Sequence, residues 1–188
     1  MAFSSIKDKT VLVTGGARGI GRGIAKACLE QGARVIITNL DIAGGLKTQN
    51  ELTTLGYIRS VSCDATDGAA VAALMDDIWS NEGPIDVIFC NAGRGGNERV
   101  LGASLDDVRG LFATNYESAI HIAQSYIPRR LAEGKPGHVM FTGSEHSVGL
   151  PAGNESLGFA VYGATKHAML IMAEWLRADL DGTPVSVS

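Results

Sequence analysis

Long charge runs, cysteine pairs and membrane-length apolar stretches are all missing from this 188-residue chain. Each absence removes a class of function. The three cysteines, Cys28, Cys63 and Cys90, are odd in number and scattered, with no CxxC pair. That excludes a disulfide framework and predicts buried thiols in a reducing compartment. The histidines, His121, His138, His146 and His167, share no face and no ligand spacing, so no metal site is expected. A net charge of −4 with no Lys/Arg run argues against nucleic acid as a main partner. The opening residues, MAFSSIKDKT, lack the apolar core of a signal peptide, and no apolar run is long enough to span a bilayer. The expectation is a cytoplasmic protein with no membrane partner. No repeat, low-complexity stretch or linker marks a second domain, and 45% hydrophobic residues can fill one sizeable core.

What the chain does contain is alternation. Apolar, β-branched runs fall at residues 10–14, 33–38, 57–62, 86–90 and 138–142, with a sixth starting at Val185. Amphipathic, helix-length stretches separate them at 20–31, 45–55, 69–80, 105–131 and 161–180. Continuous apolar strands alternating with helices predict a parallel sheet covered on both faces. The fold class is therefore α/β: a doubly wound, three-layer αβα single domain. In such sheets ligands sit at the carboxyl ends of the strands, near the point where strand order reverses.

The first strand end carries TGGARGIG, with Gly15, Gly16, Gly19 and Gly21 between a strand and a helix. Glycine there lets something approach the backbone closely. The helix N-terminus that follows carries a positive partial charge suited to a pyrophosphate. Near the other end, Tyr162 and Lys166 are four apart in a helical pattern, on one face and one turn apart. A phenol titrates near ~10, too high for acid–base work at neutral pH, and a fixed ammonium nearby lowers that value. Such a pair can pass a proton to or from an alcohol oxygen.

Together these stations resemble the short-chain dehydrogenase/reductase family. Thr14 to Gly21 resembles its TGxxxGxG motif. SCDATD places Asp64 after strand three, and CNAG, Cys90 to Gly93, is similar to the family's NNAG with cysteine in the first position. ATNYESAI carries the helix Asn115, and YGATK matches YxxxK. The resemblance runs from Lys9 to the last residue. It implies an NAD(P)-dependent oxidoreductase on a Rossmann-like fold that interconverts an alcohol and a ketone. The implied cofactor contacts are Gly15, Arg18, Gly19, Ile20, Gly21, Asn39, Asp64, Ala65, Asn91, Ala92, Gly93, Tyr162 and Lys166. The implied catalytic set is Asn115, Ser144, Tyr162 and Lys166, with Asn115 holding a water linked to the lysine. Ser147, three residues beyond Ser144, is the alternative serine. Ser144 precedes Tyr162 by 18 positions, longer than the family's usual spacing, so residues around GLPAGNESLG read as an insertion beside the substrate pocket.

Strand two ends in Asn39, where NAD-preferring members carry Asp; the acid arrives two positions later, at Asp41. Arg18 could pair with a 2′-phosphate. The lean is toward NADP over NAD. The family also continues beyond a sixth strand, so the sequence reads as truncated within strand six. A homodimer or homotetramer through the long helices is the implied assembly. A non-catalytic dinucleotide sensor on the same fold is the alternative, and it would be indifferent to loss of Tyr162.

Overall fold

The computed structural model describes residues 3–96, 99–153 and 157–188. Each apolar run becomes a strand: β1 (Thr10–Thr14), β2 (Arg34–Asn39), β3 (Ile58–Ser62), β4 (Val87–Cys90), β5 (Gly137–Phe141) and β6 (Val185–Val187). All pairings are parallel, in the order β3-β2-β1-β4-β5-β6. The chain starts in the middle, winds outward to β3, and returns to β4 on the other side of β1. The reversal point is therefore the crevice between β1 and β4.

Strand side chains alternate between faces, and both faces are buried. Val11, Val13, Val35 and Ile37 pack beneath α1 (Gly19–Glu30) and α2 (Ile42–Leu52), with Ala25, Leu29 and Leu52 facing them. Leu12, Ile36, Ile88 and Val139 face α3 (Gly68–Asn81), α5 (Ser118–Glu133) and α6 (Ala160–Asp179), through Met75, Ile78, Ile122, Tyr126 and Met169. Each fully buried aliphatic side chain contributes roughly 1.5–3 kcal/mol. The three thiols are buried and unpaired, and burial pushes Cys28 up to about 11 and Cys90 higher still.

The expected helix over 105–131 is present with two differences. It runs as α4 (Leu105–Phe112), a π-helical turn at Ala113–Glu117, and α5. It also runs past residue 131 to Glu133, with Pro128 inside α5, and stops where Gly134 adopts a left-handed φ of 63°. Ser104 caps α4 by accepting from the Asp107 N–H, and the acids Asp106 and Asp107 occupy its first turn.

The amino edge of the sheet is tied by buried charge. Arg130 pairs with Asp86 at 3.2 Å and Glu133 at 2.8 Å and donates to the Pro136 carbonyl, while the Tyr126 hydroxyl donates to the Asp86 carbonyl. That anchorage leaves the carboxyl edge to carry the site. Among the described residues, no helix is long and apolar enough to cross a membrane, and no His, Cys, Asp and Glu side chains group as metal ligands.

Candidate active site

The turn after β1 folds as its glycines dictate. Gly15 and Gly19 take left-handed φ values of 66° and 55°, which side-chain-bearing residues rarely adopt. The Gly15 and Gly16 amides both donate to the Thr38 carbonyl, at 2.7 and 3.1 Å. Any Cβ at Gly21 would collide with the Gly15 carbonyl oxygen, so α1 can start this close to β1 only with glycine there. Apart from its chain neighbours and its own helix backbone, no described atom lies within 4 Å of a Cβ built on Gly19. Arg18, at the helix N-cap, makes no side-chain cap, and the first turn holds no acid. The positive end of α1 thus faces open space.

The turn after β4 is stitched to this one. The Thr14 hydroxyl accepts from two consecutive amides, Asn91 at 3.0 Å and Ala92 at 2.9 Å. In return the Asn91 side-chain amide donates to the Thr14 carbonyl at 3.1 Å and the Gly15 carbonyl at 3.5 Å. A crevice of about 840 Å³ opens between the two turns, and every residue assigned above to cofactor contact lines it.

At one end of the crevice lie Asn39, Asp41, Asp64 and Ala65. The Asn39 amide donates to the Asp41 carbonyl at 2.5 Å, while its buried Oδ1 has no partner. Asp41 caps α2, accepting from the Gly44 N–H at 3.0 Å. Asp64 accepts from the Thr66 hydroxyl at 2.7 Å and its N–H at 2.9 Å, and these bonds hold its carboxyl below the usual carboxylate range. His121 contacts the Ala65 carbonyl at 3.1 Å, a packing role for that histidine.

At the other end, Tyr162 and Lys166 project from the first turns of α6 into the crevice. Lys166 is 5% exposed and donates to the Thr142 carbonyl at 2.8 Å; burial lowers its pKa. Asn115, 1% exposed, sits in the π-helical turn. Its Oδ1 accepts from the Arg94 N–H at 2.8 Å, and its amide donates to the Arg94 carbonyl at 2.9 Å and the Thr165 hydroxyl at 3.1 Å. Thr165 in turn donates to the Tyr162 carbonyl at 2.7 Å. Asn115 therefore clasps the loop after β4 to the base of α6. Both of its amide hydrogens are spent there, so a water toward the lysine would have to rest on oxygen acceptors.

The two serines differ. Ser147 is buried; its hydroxyl accepts from the Ser144 N–H at 3.1 Å, and its carbonyl contacts His167 Nδ1 at 2.7 Å. Ser144, half-buried, follows Gly143 of the crevice wall, and its hydroxyl accepts from the His146 N–H at 3.2 Å. Residues 154–156 of the expected insertion, and Asn97 and Glu98 after β4, lie outside the described residues. Sequence reasoning passed over the roles of Thr14, Thr142 and Thr165. Their signal was position alone, a hydroxyl residue closing a strand or sitting inside the YGATK segment.

A family model described as short chain dehydrogenase matches residues 9–188. The chain is 38% identical over 186 residues to 1-deoxy-11-beta-hydroxypentalenate dehydrogenase of Streptomyces avermitilis, covering 97% of this chain and 67% of that protein. A Burkholderia phymatum short-chain dehydrogenase/reductase solved with NAD superposes with a TM-score of 0.91 at 26% identity, covering 99% of this chain and 66% of that one. A metagenomic short-chain oxidoreductase solved with NADP gives 0.87 at 27% identity, covering 98% and 82%. The chain spans about two thirds of the length of the curated relatives it matches. With the glycine turn, the stitched crevice and the Tyr162–Lys166 pair already in place, these likenesses make one assignment: the chain belongs to the short-chain dehydrogenase/reductase family of NAD(P)-dependent oxidoreductases.

Proposed function

We propose that this chain interconverts a secondary alcohol and a ketone, with Tyr162 as the acid–base and a nicotinamide dinucleotide in the crevice. The observation that carries the reading is the convergence of Tyr162 and the buried Lys166 on the same crevice as the glycine turn. The residues suit a dinucleotide. The open α1 N-terminus offers amides to a pyrophosphate, exposed Ile20 offers an apolar wall, and the orphaned Asn39 Oδ1 awaits a hydroxyl donor such as a ribose. When bound, the nicotinamide supplies or accepts the hydride.

The protein's own part is proton handling and orientation. Tyr162 takes the proton from the alcohol or returns it to the ketone, and Lys166, one turn along α6 and held by the Thr142 carbonyl, lines the same crevice. Ser144 holds the reacting oxygen, and Asn115 fixes the loop and α6 so that Tyr162 stays in place. Exposed Val148, Leu150 and Leu157, in the loop after β5, support an apolar substrate. The Streptomyces relative is named as a dehydrogenase of a hydroxylated substrate, which fits this reaction type and disfavours a non-catalytic sensor.

For the cofactor we favour NADP. Asn39 puts no carboxylate at the end of β2, Asp41 is engaged as a helix cap, and Arg18, lining the same crevice, has no ion-pair partner among the described residues. For assembly we favour a homodimer or homotetramer. Exposed Ile171 and Trp175 on α6 flank an apolar cleft of about 520 Å³ that also takes in Met172, Leu176 and Tyr116. A second copy would bury that face. A reducing, cytoplasmic setting suits three buried, unpaired thiols.

Three outcomes are expected. Tyr162→Phe should lower turnover of cyclic ketones such as 2-decalone by about 10²–10⁴-fold while NADPH still binds within a fewfold of wild type; undiminished turnover would refute the acid–base role. Asn39→Asp should weaken NADPH by roughly tenfold, about 1.4 kcal/mol, with NADH held or improved, and an unchanged preference would count against the NADP reading. Light scattering should give a dimer or tetramer for the wild type and a smaller species for Trp175→Glu; a monomeric wild type would contradict the assembly.

A further inference from the structure

The long connection between Ser144 and Tyr162 poses a mechanical problem, because 18 positions separate two groups that must act on one oxygen. The structure answers it with His146. This residue lies in a single 3₁₀ turn, Glu145–Ser147, that begins at Ser144. Its backbone N–H donates to the Ser144 hydroxyl at 3.2 Å, and its Nδ1 lies 3.4 Å from the same oxygen. Its ring meets Tyr162 edge-on, with centroids 5.9 Å apart at 72°, and Phe159 at 4.9 Å and 76°. Phe159 and Tyr162 meet each other at 6.1 Å, which closes a three-ring cluster over the first turn of α6.

The backbone of His146 is seated as closely as its ring. A Cβ placed on Gly163, the residue after Tyr162, would stand 3.2 Å from the His146 carbonyl oxygen. One turn further along α6, His167 holds the Ser147 carbonyl. The turn thus lies against α6, and His146 touches both the Ser144 hydroxyl and the Tyr162 ring.

A serine hydroxyl has two acceptor sites and one donor. The His146 N–H fills one acceptor. If Nδ1 carries the ring's hydrogen it fills the second, and the hydroxyl hydrogen is left to point at the reacting oxygen. The 3.4 Å separation is long for a hydrogen bond, as such contacts are before substrate closes a site.

We propose that His146 is a positioning residue: it docks the Ser144 hydroxyl against Tyr162 and, by donating from Nδ1, aims the Ser144 hydrogen at the substrate oxygen. This rests on the alcohol–ketone reading of the same site. His146→Phe keeps the ring cluster and removes the donor, and His146→Asn restores a donor near the Nδ1 position. His146→Phe should lose at least tenfold in kcat for 2-decalone reduction, with KM for NADPH and the melting temperature little changed. His146→Asn should recover most of that loss, and His146→Phe should cost nothing further in a Ser144→Ala background. Full activity in His146→Phe, or an equal loss when Ser144 is absent, overturns the proposal. Its failure is distinct from failure of the underlying reading, which Tyr162→Phe and Ser144→Ala test alone. A readout free of turnover is long-range ¹H–¹⁵N spectroscopy of the imidazole in the purified protein. Nδ1 should be protonated in the wild type and lose that preference in Ser144→Ala, and an unprotonated Nδ1 in the wild type overturns the proposal.

Discussion

One hydroxyl holds the two halves of the site together. Thr14, the last residue of β1, accepts from two consecutive amides of the turn after β4, while Asn91 returns two bonds to the carbonyls of Thr14 and Gly15. The glycine turn and the NAG turn are the walls of the crevice. Without the stitch, the Ala92 amide would lose its hydroxyl acceptor at a cost of about 1–3 kcal/mol, and the Asn91 amide would keep only the Phe89 carbonyl, at 3.0 Å. The crevice at the strand reversal would also lose its fixed width.

The catalytic end extends the same device. Asn115 clasps Arg94 on one side and Thr165 on the other, Thr165 holds the Tyr162 carbonyl, and Lys166 reaches back to the Thr142 carbonyl at the end of β5. Side chains from β1, the turn after β4, the π-helical turn and α6 thereby tie the walls of the crevice together by hydrogen bonds. Burial makes each bond count for more, because an unpaired polar group there has no water to turn to. The asymmetry of the sheet serves this arrangement. The ion pairs of Arg130 brace the amino edge, so the carboxyl edge can afford open helix ends and left-handed glycines.

Much of this was legible before any coordinates. Strands of β-branched residues with both faces buried leave few folds to choose from, and all six appear within a few residues of their expected bounds. The glycine turn was legible because Gly15, Gly19 and Gly21 each answer a constraint other residues cannot meet. Helical spacing puts Tyr162 and Lys166 on one face, and the glycine turn and NAG segment upstream made that pair legible as a site. The π-helical turn at Asn115 was not, since no residue type marks the place where a helix takes in one extra residue. Pro128 lies inside the helix without ending it, and the left-handed Gly134 marks where the helix stops. The stitch at Thr14 and the seat of His146 depend on partners 77 and more positions away or across a loop, and no local pattern carries that information.

The central claim is that the stitched crevice is a dinucleotide site, and the most direct measurement is a fluorescence titration of NADPH into the wild type and into Thr14→Val, each checked for folding by circular dichroism. The account predicts saturable binding by the wild type and at least tenfold weaker binding by a folded Thr14→Val. A folded wild type that binds neither NADPH nor NADH, or a Thr14→Val that binds as tightly, would contradict it.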